Sequence, residues 1–453
     1  MKEQKKVNPL ATESEGKLIA KFAIPAIISM LVSSLYNIVD QIFIGQGVGL
    51  LGNAATNIAF PVSIICTATA LLLGIGSASN FNLCSGAGDH EKASRIAGTG
   101  LSMLVICGVI IAAVVLVFLD PLLHLFGVTA KILPYAQDYT GITAFGIPFL
   151  ILTTGGNHLI RADRSPTYSM TCMLTGAIIN TVLDPLFIFG FHWGIKGAAW
   201  ATVIGQIVSG IMVIVYFGRF RKMELKKEMF RPRGHLLKMI LSLGMASCIN
   251  QIAMAVVQIT MNNTLRYYGA ASVYGTDIPL ACVGVISKVN MVFMAIGISQ
   301  GCQPIWGYNY GAGSYDRVKR TYWKAFRVAM TVGIVFFLCF QFFPTQLVSI
   351  FGTGSKEYYE FAARYFRIFM FMTFANGIQP MSSGFFTSIG KAKLGIVVSL
   401  TRQVIFLLPL ILIFPIFMGI DGVMYAGPIA DAAAGIVAIG FAVKEIRAMD
   451  KIA

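Results

Sequence analysis

Apolar runs long enough to cross a bilayer recur along this chain from end to end, and they leave little room for any other kind of fold. A helix needs about 20 apolar residues to span the hydrocarbon. Such runs cover residues 18–43, 53–82, 94–119, 132–156, 167–190, 196–217, 238–268, 279–302, 321–343, 357–386, 394–417 and 423–443. Of the 453 residues 56% are hydrophobic and only 12% charged, against about 25% charged in soluble domains. A soluble globular protein is excluded, and the expected class is an all-α polytopic membrane protein of twelve transmembrane helices. The first run follows a polar, basic stretch and lacks a small-residue cleavage site, so it reads as a span and not a signal peptide.

The net charge of +15 does not imply a nucleic-acid partner, because the basic residues sit between the spans. With the N-terminus inside, 27 of the 35 Lys and Arg fall on the cytoplasmic side. Lys131, Lys196, Arg266, Lys356, Arg364 and Arg367 fall near the other face. The positive-inside rule then places both termini in the cytoplasm of a multi-pass protein of the cell membrane. The eight cysteines show no CxxC spacing and the histidines no HxxxH spacing. Neither a metal site, a disulfide framework nor a cofactor is expected.

Residues 225 apart match along most of the chain. SGAGDHEKASR falls on YGAGSYDRVKR, and GIKGAAWATVIGQIVSGI from Gly194 falls on GIDGVMYAGPIADAAAGI from Gly419. Each half holds six spans, an even number, so the halves are parallel copies related by an axis along the membrane normal, an arrangement used by transporters. The expected organisation is an N-lobe at 1–217, a basic linker at 218–237 and a C-lobe at 238–453.

A carboxylate in mid-membrane costs on the order of 2.5 to 3.5 kcal/mol by insertion scales, so buried acids need a reason. Asp40, Asp184 and Asp431 lie inside apolar runs, with Lys288 and Arg402 as the intramembrane bases. Tyr36, Asn37 and Asp40 share a helix face, Asn180 stands one turn before Asp184, and Thr202 one turn before Gln206. The plain reading of a lone Asn or Thr is an interhelical hydrogen bond, worth about 0.6 to 2 kcal/mol. The two N-lobe aspartates call for more, a carboxylate site that exchanges H⁺ or holds Na⁺.

The C-lobe has no equivalent, since Asp184 falls on Pro409. It offers instead Gln251, Met254, Gln258 and Met261 on one helix and Met372, Asn376 and Gln379 on another. Methionine suits promiscuous apolar surfaces, and these stripes could line a cavity for varied amphipathic ligands or be ordinary packing. Asp431 pairs with Lys288 or Arg402, or is a second ion site. Pro25, about four turns before Asp40, is a candidate bending element or a first-turn proline. No nucleophile elbow, Walker loop or dinucleotide fingerprint is present, so no enzyme activity is expected.

The two six-helix halves, NIVDQIFIGQ closing the first span, GAGDHEKA, QPIWGYNYGAGSYDRVKR and NTVLDPLFIFG together resemble the multidrug and toxic compound extrusion (MATE) family, nearest its MepA-type and DinF-type bacterial branches. The resemblance covers essentially the whole chain. It implies two six-helix lobes, alternating access and export of cationic or amphipathic drugs in exchange for H⁺ or Na⁺, by a chain expected to work as a monomer. It further implies coupling through Asp40, Asn180, Asp184 and Thr202, and bending at Pro25. Another branch uses acids in helices seven and ten, whereas here Gln251–Asn262 and Met372–Ser383 contain none. The competing reading is a flippase for a lipid-linked sugar on a related two-lobe fold. Its anionic cargo calls for a basic cavity.

Overall fold

In a computed structural model of the protein, residues 8–275, 278–279, 282–283, 296–349 and 356–451 are described. The first half comprises α1 (Glu15–Gly47), α2 (Leu50–Gly86), α3 (His90–Val117), α4 (Leu133–Ala144), α5 (Ile147–Ala162), α6 (Pro166–Pro185) and α7 (Gly194–Val215). The second comprises α8 (Gly234–Ala270), α9 (Ile296–Gly311), α10 (Tyr315–Phe342), α11 (Lys356–Phe369), α12 (Ile378–Ser388), α13 (Ala392–Leu400), α14 (Leu408–Met418) and α15 (Ile420–Met449). A π-helical turn, Thr401–Leu407, joins α13 to α14, and another, Leu186–Gly190, extends α6. Among the described residues there is no strand.

Nine of these helical stretches are long and apolar enough to cross a membrane. The other three expected spans are accounted for individually. The fourth, expected unbroken over 132–156, is two helices, α4 and α5, interrupted at Phe145 and Gly146. Pro148 sits in the first turn of α5, where its missing N–H breaks no ladder. The tenth, expected over 357–386, is likewise α11 and α12 with a short turn of helix, Thr373–Asn376, between them. Of the eighth, α9 is described from Ile296, and it runs on past the expected end to Gly311.

The repeat is written into the backbone. Helix ends Gly86 and Gly311, Val117 and Phe342, and Ala144 and Phe369 are each 225 apart, as are the helix starts His90 and Tyr315. Two turn glycines obey the same offset with left-handed φ: Gly88 (85°) with Gly313 (70°), and Gly194 (53°) with Gly419 (60°). A side chain with a Cβ is disfavoured there, so the halves keep glycine where sequences around it have diverged.

Packing divides the chain into two compact units: residues up to Ile27 with Ile249–Ala453, and Ile28–Cys248. Both divisions fall within helices, in α1 two residues after Pro25 and in α8 after Cys248. Pro25 lies inside α1, past its first turn. Each unit has its own core. That of 28–248 gathers Leu73, Ile96, Leu104, Ile151, Leu159 and Ile240, and that of the other gathers Phe22, Trp306, Tyr322, Phe385 and Met449 in one cluster and Phe340, Phe361, Phe366 and Ile411 in a second. The outward faces are apolar too: Val105, Ile106, Val109 and Ile110 on α3 and Val328, Ile334, Val335 and Leu338 on α10 are exposed. Bands of that kind are costly in water and suited to lipid.

A buried carboxylate pair as candidate functional site

Within the unit 28–248, helices α6 and α7 meet almost backbone to backbone. A Cβ added to Gly205 of α7 would lie 2.8 Å from the carbonyl oxygen of Gly176 in α6. Small residues let membrane helices approach this closely, and Ser209 Oγ adds a hydrogen bond to Cys172 O at 2.9 Å. The consequence one turn away is that Asn180 of α6 faces Thr202 of α7.

The Asn180 amide sits between Asp184 and Thr202, 3.3 Å from Asp184 Oδ1 and 3.3 Å from Thr202 Oγ1. Oriented so that its NH₂ donates to Asp184 Oδ2 at 3.2 Å, its oxygen accepts from Thr202 N–H at 3.2 Å and from the Thr202 hydroxyl at 3.3 Å. That orientation satisfies both ends of the amide. Asp184 is fully buried and Asp40, from α1, is 7% exposed. The two carboxyls lie within hydrogen-bonding reach of each other, and Asp40 Oδ1 has no hydrogen-bond partner. Among the described residues no Lys or Arg forms an ion pair with either acid.

The four residues expected to couple a cation therefore converge. A fifth, Tyr139 of α4, was not anticipated: it is half-buried, and its hydroxyl lies near Thr202, Asp40, Tyr36 and Asp184. The signal available was the polar run Tyr139, Thr140, Thr143 inside an otherwise apolar span. Beside Tyr139 and Thr202 lies a cavity of about 60 Å³, lined also by Ser63, Thr140, Thr143 and Gln206. Thr140 Oγ1 and Gln206 Oε1 face no partner in the protein. A volume of that size holds a few waters. Tyr36 is half-buried, whereas Asn37 is exposed and donates back to Ser33 O at 2.7 Å on its own helix.

The other unit holds a different kind of buried charge. Arg402, in the π-helical turn, places Nε 2.5 Å from Asp431 Oδ1 of α15, and both side chains are buried. Of the partners expected for Asp431, the structure selects Arg402; Lys288 lies outside the described residues. Met261 is buried, its sulfur accepting from Tyr365 OH at 3.7 Å, and Met372 packs against an apolar cluster. Gln258 Nε2 donates to Asn262 Oδ1 at 3.0 Å, Met254 Sδ accepts from Asn250 at 3.7 Å, and Gln251 is half-buried. Gln379 Nε2 donates to Val398 O at 2.8 Å and Ser399 O at 3.2 Å, fastening α12 to α13. Asn376 is buried with Oδ1 unpartnered.

Comparison with known proteins follows the same lines. The chain is 25% identical to the multidrug export protein MepA of Staphylococcus haemolyticus, covering 95% of this chain and 94% of that one. It is 26% identical to MepA of Staphylococcus aureus over 93% and 92%. Its fold matches a structure described as the outward-facing conformation of a multidrug resistance MATE family transporter, with a TM-score of 0.91 at 24% identity over 98% of both chains. A transporter from Pyrococcus furiosus matches with a TM-score of 0.90 at 24% identity, again over 98% of both. The twelve-helix polytopic fold of MATE transporters is thus the fold of this protein. A family model, MatE, matches residues 25–186 and 246–413, one stretch in each half, and the chain belongs to that family.

Proposed function

We propose that this protein exports small cationic or amphipathic molecules across the cell membrane by alternating access, in exchange for H⁺ or Na⁺ taken up at Asp40 and Asp184. The observation that supports this is the pairing of two buried carboxylates that, among the described residues, form no ion pair with a base. In a poorly solvated site two such groups repel strongly when both are ionised, and a proton or a sodium ion between them removes the repulsion. Asn180 and Thr202 hold the Asp184 carboxyl in place and supply neutral oxygens to a cation.

If drug and cation favour different conformations, each shifts the equilibrium against the other by its differential affinity. Pro25, close to where α1 passes from one packing unit to the other, is the proposed bending point. The halves 1–217 and 238–453, joined by 218–237, are the proposed lobes. Tyr36, Asn37 and Gln206 in the first, and Gln251, Met254, Gln258, Met261, Met372, Asn376 and Gln379 in the second, are the proposed cargo-facing residues. Both termini lie in the cytoplasm and the unit of transport is the monomer.

The flippase reading is less favoured, because its pyrophosphate cargo needs a cavity rich in intramembrane bases, and of the two that the sequence offers, Lys288 and Arg402, the second is neutralised by Asp431. Pump-deficient cells expressing the protein should accumulate less ethidium than cells with an empty vector, with the difference abolished by an uncoupler or by removal of Na⁺. Unchanged ethidium accumulation together with translocation of a lipid-linked sugar in proteoliposomes would favour the flippase.

A further inference from the structure

The segment between the halves is fastened along its length to the unit 28–248. Met223, Leu225 and Met229 are buried in that unit's core. Asp163 Oδ2 accepts from Lys222 N–H at 2.6 Å and from Tyr216 OH at 2.7 Å, and Lys222 Nζ donates to Arg164 O at 2.8 Å. Arg221 closes the turn by donating to Phe217 O at 2.5 Å and Leu225 O at 3.1 Å. Ser102 Oγ on α3 donates to Phe230 O at 2.6 Å, and Gly98 leaves room for the Met229 carbonyl. Residues 219–238 carry eight Lys and Arg against two Glu. With Lys222 and Arg221 used as fasteners, Lys226, Lys227, Arg231 and Arg233 are exposed, and among the described residues none of these four pairs with an acid. The buried side chains of Met223, Leu225 and Met229 and the Phe230 hydrogen bond anchor the segment that carries them, so holding a ligand costs less further ordering.

The depth of this strap can be read from α3. Ser102 precedes by one turn the exposed apolar residues Val105 and Ile106, and by two turns Val109, where lipid contact begins. Phe230, which is exposed, and Arg231 beside it therefore stand where hydrocarbon gives way to headgroups.

We infer that residues 226–233 form a docking surface for the phosphates of anionic lipids in the adjoining leaflet, which is the cytoplasmic one in the orientation proposed above. Arginine and lysine near an anionic surface each favour binding by about fivefold, and guanidinium groups pair with phosphate in a bidentate fashion. The surface depends on the membrane-spanning fold and not on cation coupling, so the failure of either proposal leaves the other standing.

The test uses the full-length protein reconstituted into vesicles of equal phosphatidylglycerol and phosphatidylcholine, then extracted in detergent, with the retained lipids counted by mass spectrometry. Wild type should retain phosphatidylglycerol over phosphatidylcholine by about tenfold or more, and the preference should weaken in high salt. In K226Q/K227Q/R231Q/R233Q the preference should fall to near parity with the thermal unfolding midpoint unchanged. A control lacking four exposed cations elsewhere, K393Q/K444Q/R447Q/K451Q, should keep it. If the four-fold strap variant unfolds, K226Q/K227Q is read in its place and should lose part of the preference. An unselective wild type, a strap variant as selective as wild type, or an equal loss in the control would each overturn the inference.

Discussion

The two halves of this chain solve the problem of a buried acid in opposite ways. In the unit 28–248, Asp40 and Asp184 face each other and, among the described residues, neither forms an ion pair with a base. In the other unit, Asp431 is held by Arg402 at 2.5 Å. Asp431 stands 225 residues after Gln206, so the same place in the repeat carries a neutral amide lining the cavity beside Thr202 in one half and a neutralised acid beside the arginine in the other. A compensated acid is finished business electrostatically, whereas a pair of facing carboxylates is stable only with a cation between them. The first should matter for folding and the second for transport.

The comparison breaks most visibly at Arg402. Arg402→Ala leaves Asp431 buried and unpaired, a loss of about 3 to 5 kcal/mol, and should sharply lower the unfolding temperature in detergent. The double variant Arg402→Met with Asp431→Leu should recover most of that stability, since replacing both partners of a buried pair by apolar groups is often neutral. A double variant as unstable as the single one would show that the pair does more than neutralise charge.

Helix separation comes next. Gly205→Leu drives a side chain into the Gly176 carbonyl, costing about 1 to 3 kcal/mol by overpacking. It should also part Asn180 from Thr202, so cation dependence should weaken along with stability. Loss of stability alone would mean that the α6–α7 contact does not position the acids. The smallest effect is expected from Thr202→Val, which removes one hydroxyl from the Asn180 oxygen. A loss of about 1 kcal/mol should appear as roughly a fivefold weaker dependence on the coupling cation, with the unfolding temperature almost unmoved.

Much of this was legible in the amino-acid order. The repeat and the spans follow from apolar length and a fixed offset, and one-turn spacing pairs Asn180 with Asp184, whereas the set Asp40, Asn180, Asp184 and Thr202 comes from the resemblance to the family. Other features were hidden for definite reasons. Apolar length says nothing about interruption of the backbone ladder, so the breaks after Ala144 and Phe369 passed as continuous spans, although Gly146 and Pro148 were a cue. The choice of Arg402 for Asp431 depends on how two helices far apart in sequence face each other. That the Gln379 side chain also ties down two backbone carbonyls could not be read from composition. The basic segment after α7 was read by charge alone, while Met223, Leu225 and Met229 set among its lysines already marked a face that packs.

The central claim is that the Asp40–Asp184 pair carries the coupling cation, and transport in proteoliposomes with pH and Na⁺ gradients imposed independently tests it most directly. The Asp40→Asn, Asp184→Asn double variant should be as stable as wild type or more so, since it removes a repulsion, should still bind ethidium, and should fail to accumulate it under either gradient. Accumulation by that variant to the wild-type level would contradict the account.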